Sequence, residues 1–186
     1  NICDVGEWLE AEQGAVRTFG PEHRPVPLRV HVRACRGAKN EFVFQESLNR
    51  ELPAVLRQFA GGRNALVFCV TKRSCETAAR ALLQMSGFEQ GCQPDPELRG
   101  LLATEAQAAA DPGLQQLLPR GLAVHHGGLC PADRRLVVEL FLRQAVVVLF
   151  CTQTLALGVN LPAHLVIVKG TTAYKESGWE EYDSLE

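Results

Sequence analysis

Nowhere in this 186-residue chain do apolar residues run for the roughly twenty needed to cross a bilayer, and no N-terminal stretch reads as a signal peptide. A membrane anchor is therefore not expected. Charge of either sign is also not in excess: 19 Lys and Arg stand against 21 Asp and Glu, for a formal net charge of −2. Without a global basic field, any contact with a polyanion must be local. The seven cysteines contain no Cys-x-x-Cys pair, and several, notably Cys69 and Cys151, lie in apolar runs. That pattern favours buried free thiols in a reducing, intracellular compartment over disulfides or zinc. The Walker loop G-x-x-x-x-G-K-[ST], H-E-x-x-H and G-x-S-x-G are all missing.

What the chain does have is alternation of apolar strands with helical patterns. Ala65 to Val70, Leu122 to His125, Ala145 to Cys151 and Leu165 to Val168 read as strands. Leu28-Arg29-Val30-His31-Val32 alternates apolar with polar and is expected as a further strand. Residues 1–10 suggest the end of a short helix, and three prolines (Pro21, Pro25, Pro27) mark an extended connector. Ser47 to Phe59 is amphipathic despite Pro53; helices also follow Thr71–Ser74 and start at Pro131, with two weaker ones near 96–109 and 113–118. Strands and helices at this spacing predict an α/β fold with a parallel sheet of about five or six strands.

In open parallel sheets, ligands sit beyond the carboxyl ends of the strands. Three of those ends are polar or glycine-rich: Thr71-Lys72-Arg73, His126-Gly127-Gly128 and Thr152-Gln153-Thr154. Hydroxyls, close-approaching backbone and the Lys72 and Arg73 charges suit an anion at a helix start. Each signal has a plainer reading: Thr71 or Thr152 as a helix cap, His125 and His126 as turn residues, Lys72-Arg73 and Arg134-Arg135 as solvated faces. The recurrence of three such turns favours the successive phosphates of a strand. No Cys, Asp or Glu stands at metal-ligand spacing beside the histidines, so no metal site is expected.

The segments LVFCVTKR (66–73), AVHHGGLCPADRR with Phe141, and CTQTLALGVNLPAHLVIVKGT (151–171) together resemble the second RecA-like domain of superfamily 2 helicases. The branch is the one holding archaeal repair, spliceosomal and meiotic crossover helicases. They are similar to its motif IV, its His-His-Ala-Gly segment and its motif V. Asp4 to Leu9 is similar to the helix after motif III. Phe42-Val43-Phe44 with Ser47-Leu48-Asn49, and Trp179 to Tyr182, look most like the meiotic crossover helicases. Departures are Gly127 for the usual Ala, Gln153 for a small Ser, and Leu157 at a bulkier position.

The resemblance implies a RecA-like sheet flanked by helices on both faces and truncated at both ends relative to a full motor. Residues 1–27 would end a first motor domain and its connector, and 28–186 would form the second domain, incomplete at its C-terminus. Thr71, Lys72, Arg73, His126, Gly127, Gly128, Arg134, Thr152 and Thr154 would line the path of the tracked strand. Gly158 and Asn160 would face the nucleotide cleft and couple it to the strand. The implied activity is ATP-dependent 3′-to-5′ DNA unwinding in the nucleus, in meiotic recombination. ATP and Mg²⁺ would serve the full-length protein, with none bound and no catalytic residue in this chain alone. The expected partners are single-stranded or branched DNA and the first RecA-like domain, with no membrane. An RNA helicase of the same branch and a non-catalytic RecA-like scaffold are the alternatives, since nothing here reads a 2′-hydroxyl.

Overall fold

Four short apolar runs pair side by side, and their order sets the position of everything else. In the computed structural model, which describes residues 2–12, 14–35, 40–85, 93–155, 161–170, 172–175 and 178–181, contacts divide the chain into Asn1–Ala34 and Cys35–Glu186. In the second unit, β1 (Ala65–Cys69), β2 (Leu122–His125), β3 (Val148–Cys151) and β4 (Leu165–Lys169) form one all-parallel sheet in the order β2-β3-β1-β4. The registers align the carboxyl ends: His125 with Cys151, Phe68 with Cys151, and Cys69 with Lys169. β2 and β3 are buried throughout, as unbroken apolar strands of a parallel sheet must be. Edge strand β4 instead alternates, leaving Val166 and Val168 exposed.

Three helices carry most of the cover. These are α2 (Glu41–Phe59), α3 (Lys72–Gln84) and α6 (Pro131–Leu142), with α4 (Arg99–Ala108) and α5 (Pro112–Leu117) between α3 and β2. The chain steps from β1 past β3 to β2 through α3, then back to β3 through α6. Right-handed crossovers taken in opposite directions put those helices on opposite faces of the sheet. This is the RecA-like α/β arrangement expected from the sequence. Leu82, Leu102, Leu114, Leu118, Leu140, Phe141 and Phe150 fill the core. Gly121 turns the chain into β2 at φ +71°, and a β-carbon there would meet Pro94 and Val147 at 3.0 Å, so both backbone and space require glycine.

Several expectations are corrected. Among the described residues the sheet has four parallel strands, not five or six; β5 (Thr172–Lys175) and β6 (Gly178–Glu181) form a separate antiparallel pair. Residues 28–32 form no strand: Leu28, Val30 and Val32 are exposed, and alternation alone makes no ladder without a paired edge. α2 begins six residues earlier than its apolar stripe, at Glu41 rather than Ser47, because Asn40 caps it by accepting from Val43 N at 2.9 Å. Pro53 sits buried within α2, leaving the Asn49 carbonyl without its helical donor. In the first unit, α1 (Ile2–Trp8) matches the expected short helix.

Asp133 ties the α4–α5 junction to α6. Its buried carboxylate accepts from Ala110 N at 3.0 Å and Asp111 N at 2.9 Å, and Asp111 in turn caps α5 through Gly113 N and Leu114 N. Asp133→Ala is expected to cost about 2–3 kcal/mol, since it strands two amides; urea unfolding checks this, and an unchanged midpoint would contradict it.

Candidate nucleic-acid interface

The three turns named from the sequence leave three adjacent strands at the same end of the sheet. Two contacts bind them into one rim. Thr152 N donates to His125 O at 3.3 Å, joining the turn after β3 to the end of β2. Across that pair, the Lys72 side chain lies over the Gly127–Gly128 turn: a β-carbon on Gly128 would sit 3.4 Å from Lys72 Cδ, and one on Gly127 4.0 Å from Lys72 Cε. At Gly128 a β-carbon would also crowd the His126 ring, 3.1 Å from Nδ1.

Each candidate side chain can now be located. Thr71 is exposed and caps α3, its Oγ1 accepting from Ser74 N at 3.0 Å while Thr71 N donates to Ser74 Oγ at 2.9 Å. The cap reading is the one observed at this residue, and the reciprocal box holds the turn that carries Lys72 and Arg73. Both cations are exposed. Gly127 and Gly128 are exposed too, whereas the His126 ring is buried, 3% exposed. Gly128 N donates to His126 Nδ1 at 3.2 Å, so the neutral ring carries its proton on Nε2, 3.4 Å from Glu76 Oε1 in α3 but poorly aligned for a hydrogen bond. His126 therefore braces the β2 turn against α3 and is itself withdrawn from solvent, ring and backbone alike. Arg134 is half-buried, and its Nε has no hydrogen-bond partner among the described residues. Thr152 is half-buried, Gln153 exposed. The Thr154 side chain, Gly158 and Asn160 lie outside the described residues.

Helix starts contribute less than the sequence suggests. At α6, Pro131 has no N–H, and Asp133 N already points at the Cys130 thiol, 3.4 Å away, with the Asp133 carboxylate close by. After β3 the described chain makes only a 3₁₀ turn, Gln153–Leu155. The anion-attracting groups are thus Lys72, Arg73 and Arg134, with the backbone of the glycine turn. Sequence reasoning took His125 for a strand-end or turn residue with local hydrogen bonds, and left it out of the rim. The residue is buried, its Nδ1 has no partner among the described residues, and burial, the Arg134 charge and His126, in that order, hold its pKa below the ordinary histidine value. Sequence reasoning missed Lys169, buried at the end of β4 and donating to Asn49 Oδ1 at 2.7 Å. A readable signal was Asn49 itself, polar amid the apolar stripe of α2.

Thiol positions agree with the composition. Cys69, Cys75 and Cys151 are free and buried; burial first, then Cys69, pushes the Cys151 thiol up to about 12.

A parallel sheet with polar turns gathered on one rim defines a RecA-like domain, and the sequences of known proteins narrow it. The chain is 38% identical over 188 residues to the ATP-dependent DNA helicase homolog MER3 of Arabidopsis thaliana, covering 98% of this chain and 17% of that protein. It is 35% identical over 190 residues to the probable ATP-dependent DNA helicase HFM1 of Homo sapiens, covering 100% of this chain and 13% of that protein. It is also 35% identical over 195 residues to the U5 small nuclear ribonucleoprotein 200 kDa helicase of Caenorhabditis elegans, covering 100% of this chain and 9% of that protein. No family model matches. Over its whole length the chain is thus similar to ATP-dependent helicases, MER3 and HFM1 among them, in agreement with the superfamily 2 resemblance of its motifs. It spans less than a fifth of the length of these relatives.

The lowered His125 pKa has a definite sign. The unfolded chain binds that proton more readily, so the stability at issue is fully present above about pH 6.5 and falls as pH drops through that value toward the lowered one. The urea midpoint should accordingly decline between about pH 7.5 and pH 5.5. His125→Gln, which cannot take the proton, should flatten that decline, and an equally steep decline in the variant would count against the assignment.

Proposed function

We propose that this chain is the second motor domain of an ATP-dependent 3′-to-5′ DNA helicase, acting in the nucleus during meiotic recombination. The observation that carries the reading is the single rim on which Lys72 and Arg73, the Gly127–Gly128 turn and Thr152 stand together. Lys72 and Arg73 attract the sugar-phosphate backbone, the glycine turn lets it approach, and Thr152 continues the track on the middle strand. Contacts to phosphates rather than base edges make the grip tolerant of sequence.

Named relatives support the choice of activity: MER3 and HFM1 are named as ATP-dependent DNA helicases. ATP, bound with Mg²⁺ between this domain and a first RecA-like domain, would supply the free energy for closing the two domains. Gly158 and Asn160 are the residues of this chain assigned to that cleft by the motif resemblance. Thr154 is assigned to the strand on the same ground. Among the described residues no helix is long and apolar enough to cross a membrane. An RNA helicase of the same branch is a second reading, favoured by the match to the spliceosomal U5 helicase at an identity equal to that with human HFM1.

Two outcomes follow for the isolated 186 residues. Single-stranded DNA should bind weakly and with strong salt dependence, and Arg73→Ala with Thr152→Ala should abolish it; Lys72→Ala should reduce the slope of log K against log salt by about 0.7. Fluorescence anisotropy reads both, and a double variant binding as tightly as the parent would remove the rim. Lacking a Walker loop, the same protein should show no ATPase; turnover above background would contradict the division of labour between domains.

A further inference from the structure

Against the outer side of the Thr71–Arg73 turn, between α2, the start of α3 and the ends of β1 and β4, lies a cavity of about 330 Å³. That is at the lower end of the roughly 300–1,000 Å³ typical of ligand pockets. Its two walls differ in hydrogen-bonding character. The α2 wall offers acceptors: Glu41, Glu46 and Gln45. Gln45 Nε2 donates to Glu41 Oε1 at 2.8 Å, which fixes the amide orientation. Its carbonyl oxygen, Oε1, is left buried with no hydrogen-bond partner among the described residues. Such an acceptor carries a desolvation cost until an N–H reaches it. The facing wall offers donors, Arg73 and Thr77. Phe42, also lining the cavity, is 74% exposed.

We propose that this cavity takes one unpaired nucleobase of the strand held on the rim, an inference that rests on the strand-gripping role proposed above. A base is flat, apolar on both faces, and edged with alternating donors and acceptors. One edge would give an N–H to Gln45 Oε1, while a ring nitrogen or carbonyl would accept from Arg73 or Thr77. Phe42 gains a stacking partner for a ring otherwise left in water. Glu41 and Glu46 offset the Arg73 and Lys169 charges that also line the cavity, so it suits a neutral base rather than a phosphate, and the backbone stays outside on the rim. Stacking combined with one or two edge contacts gives retention of the strand with little sequence choice.

The test compares a short oligodeoxycytidylate with an abasic backbone of the same length. The chain should bind the base-bearing strand roughly tenfold tighter, within the range of one base–aromatic stack. Phe42→Ala with Gln45→Ala should bring that affinity down to the abasic level while leaving the abasic affinity unchanged. Both positions lie near the start of α2 and outside the hydrophobic core, so circular dichroism should show a retained fold. Equal binding of the two strands by the parent chain, or a base preference that survives the double substitution, overturns the pocket and leaves the rim standing. Equal weakening of both strands by the substitutions also overturns it. If neither strand binds the parent chain, the rim and the pocket fall together.

Discussion

The hydrogen bond from Thr152 N to His125 O and the Lys72 stem lying across the Gly127–Gly128 turn hold three chain reversals against one another. Both depend on strand order. β3 lies between β2 and β1, and all three run parallel, so their exits share one end of the sheet although the first and last of these turns in sequence, at 71 and 152, are 81 positions apart. Any antiparallel insertion would send one of those turns to the opposite end. Burial of β2 and of the central β3 therefore helps to set the rim, since it fixes where their exits lie.

Around the rim, buried polar groups tie the helices to the turns. His126 braces the second turn against Glu76 of α3, and Asp133 fastens α6 to the loop before α5. His125 Nδ1, His126 Nε2 and Arg134 Nε are buried without hydrogen-bond partners among the described residues. Where the strand is proposed to bind, the unpartnered His125 Nδ1 and Arg134 Nε fit a surface completed by its ligand, whereas His126 Nε2 faces Glu76. The same logic applies beside it, where the Gln45 oxygen is left without a donor.

Much of this could be read before any coordinates. Strands 65–70, 122–125 and 165–168 and the helix from Pro131 announced themselves through apolar runs and proline placement, and their adjacent exits followed from parallel-sheet rules. Other features could not be read locally. The segment 28–32 has strand-like alternation but no partner edge, and pairing is a tertiary property. The true start of α2 depends on the Asn40 cap, outside the apolar stripe. At the site, Lys72, Arg73 and the two glycines lie exposed as anticipated, but burial of the His126 ring depends on α3 packing over the β2 turn. Lys169 and Asn49 are 120 residues apart, and their contact is set entirely by the fold.

Amide hydrogen exchange on the chain with and without single-stranded DNA tests the shared rim most directly. Slowed exchange arising together at residues 71–74, 126–129 and 152–155, with α4 and α5 unchanged, is the result this account predicts. Protection centred elsewhere, or at one of these turns without the other two, would contradict it.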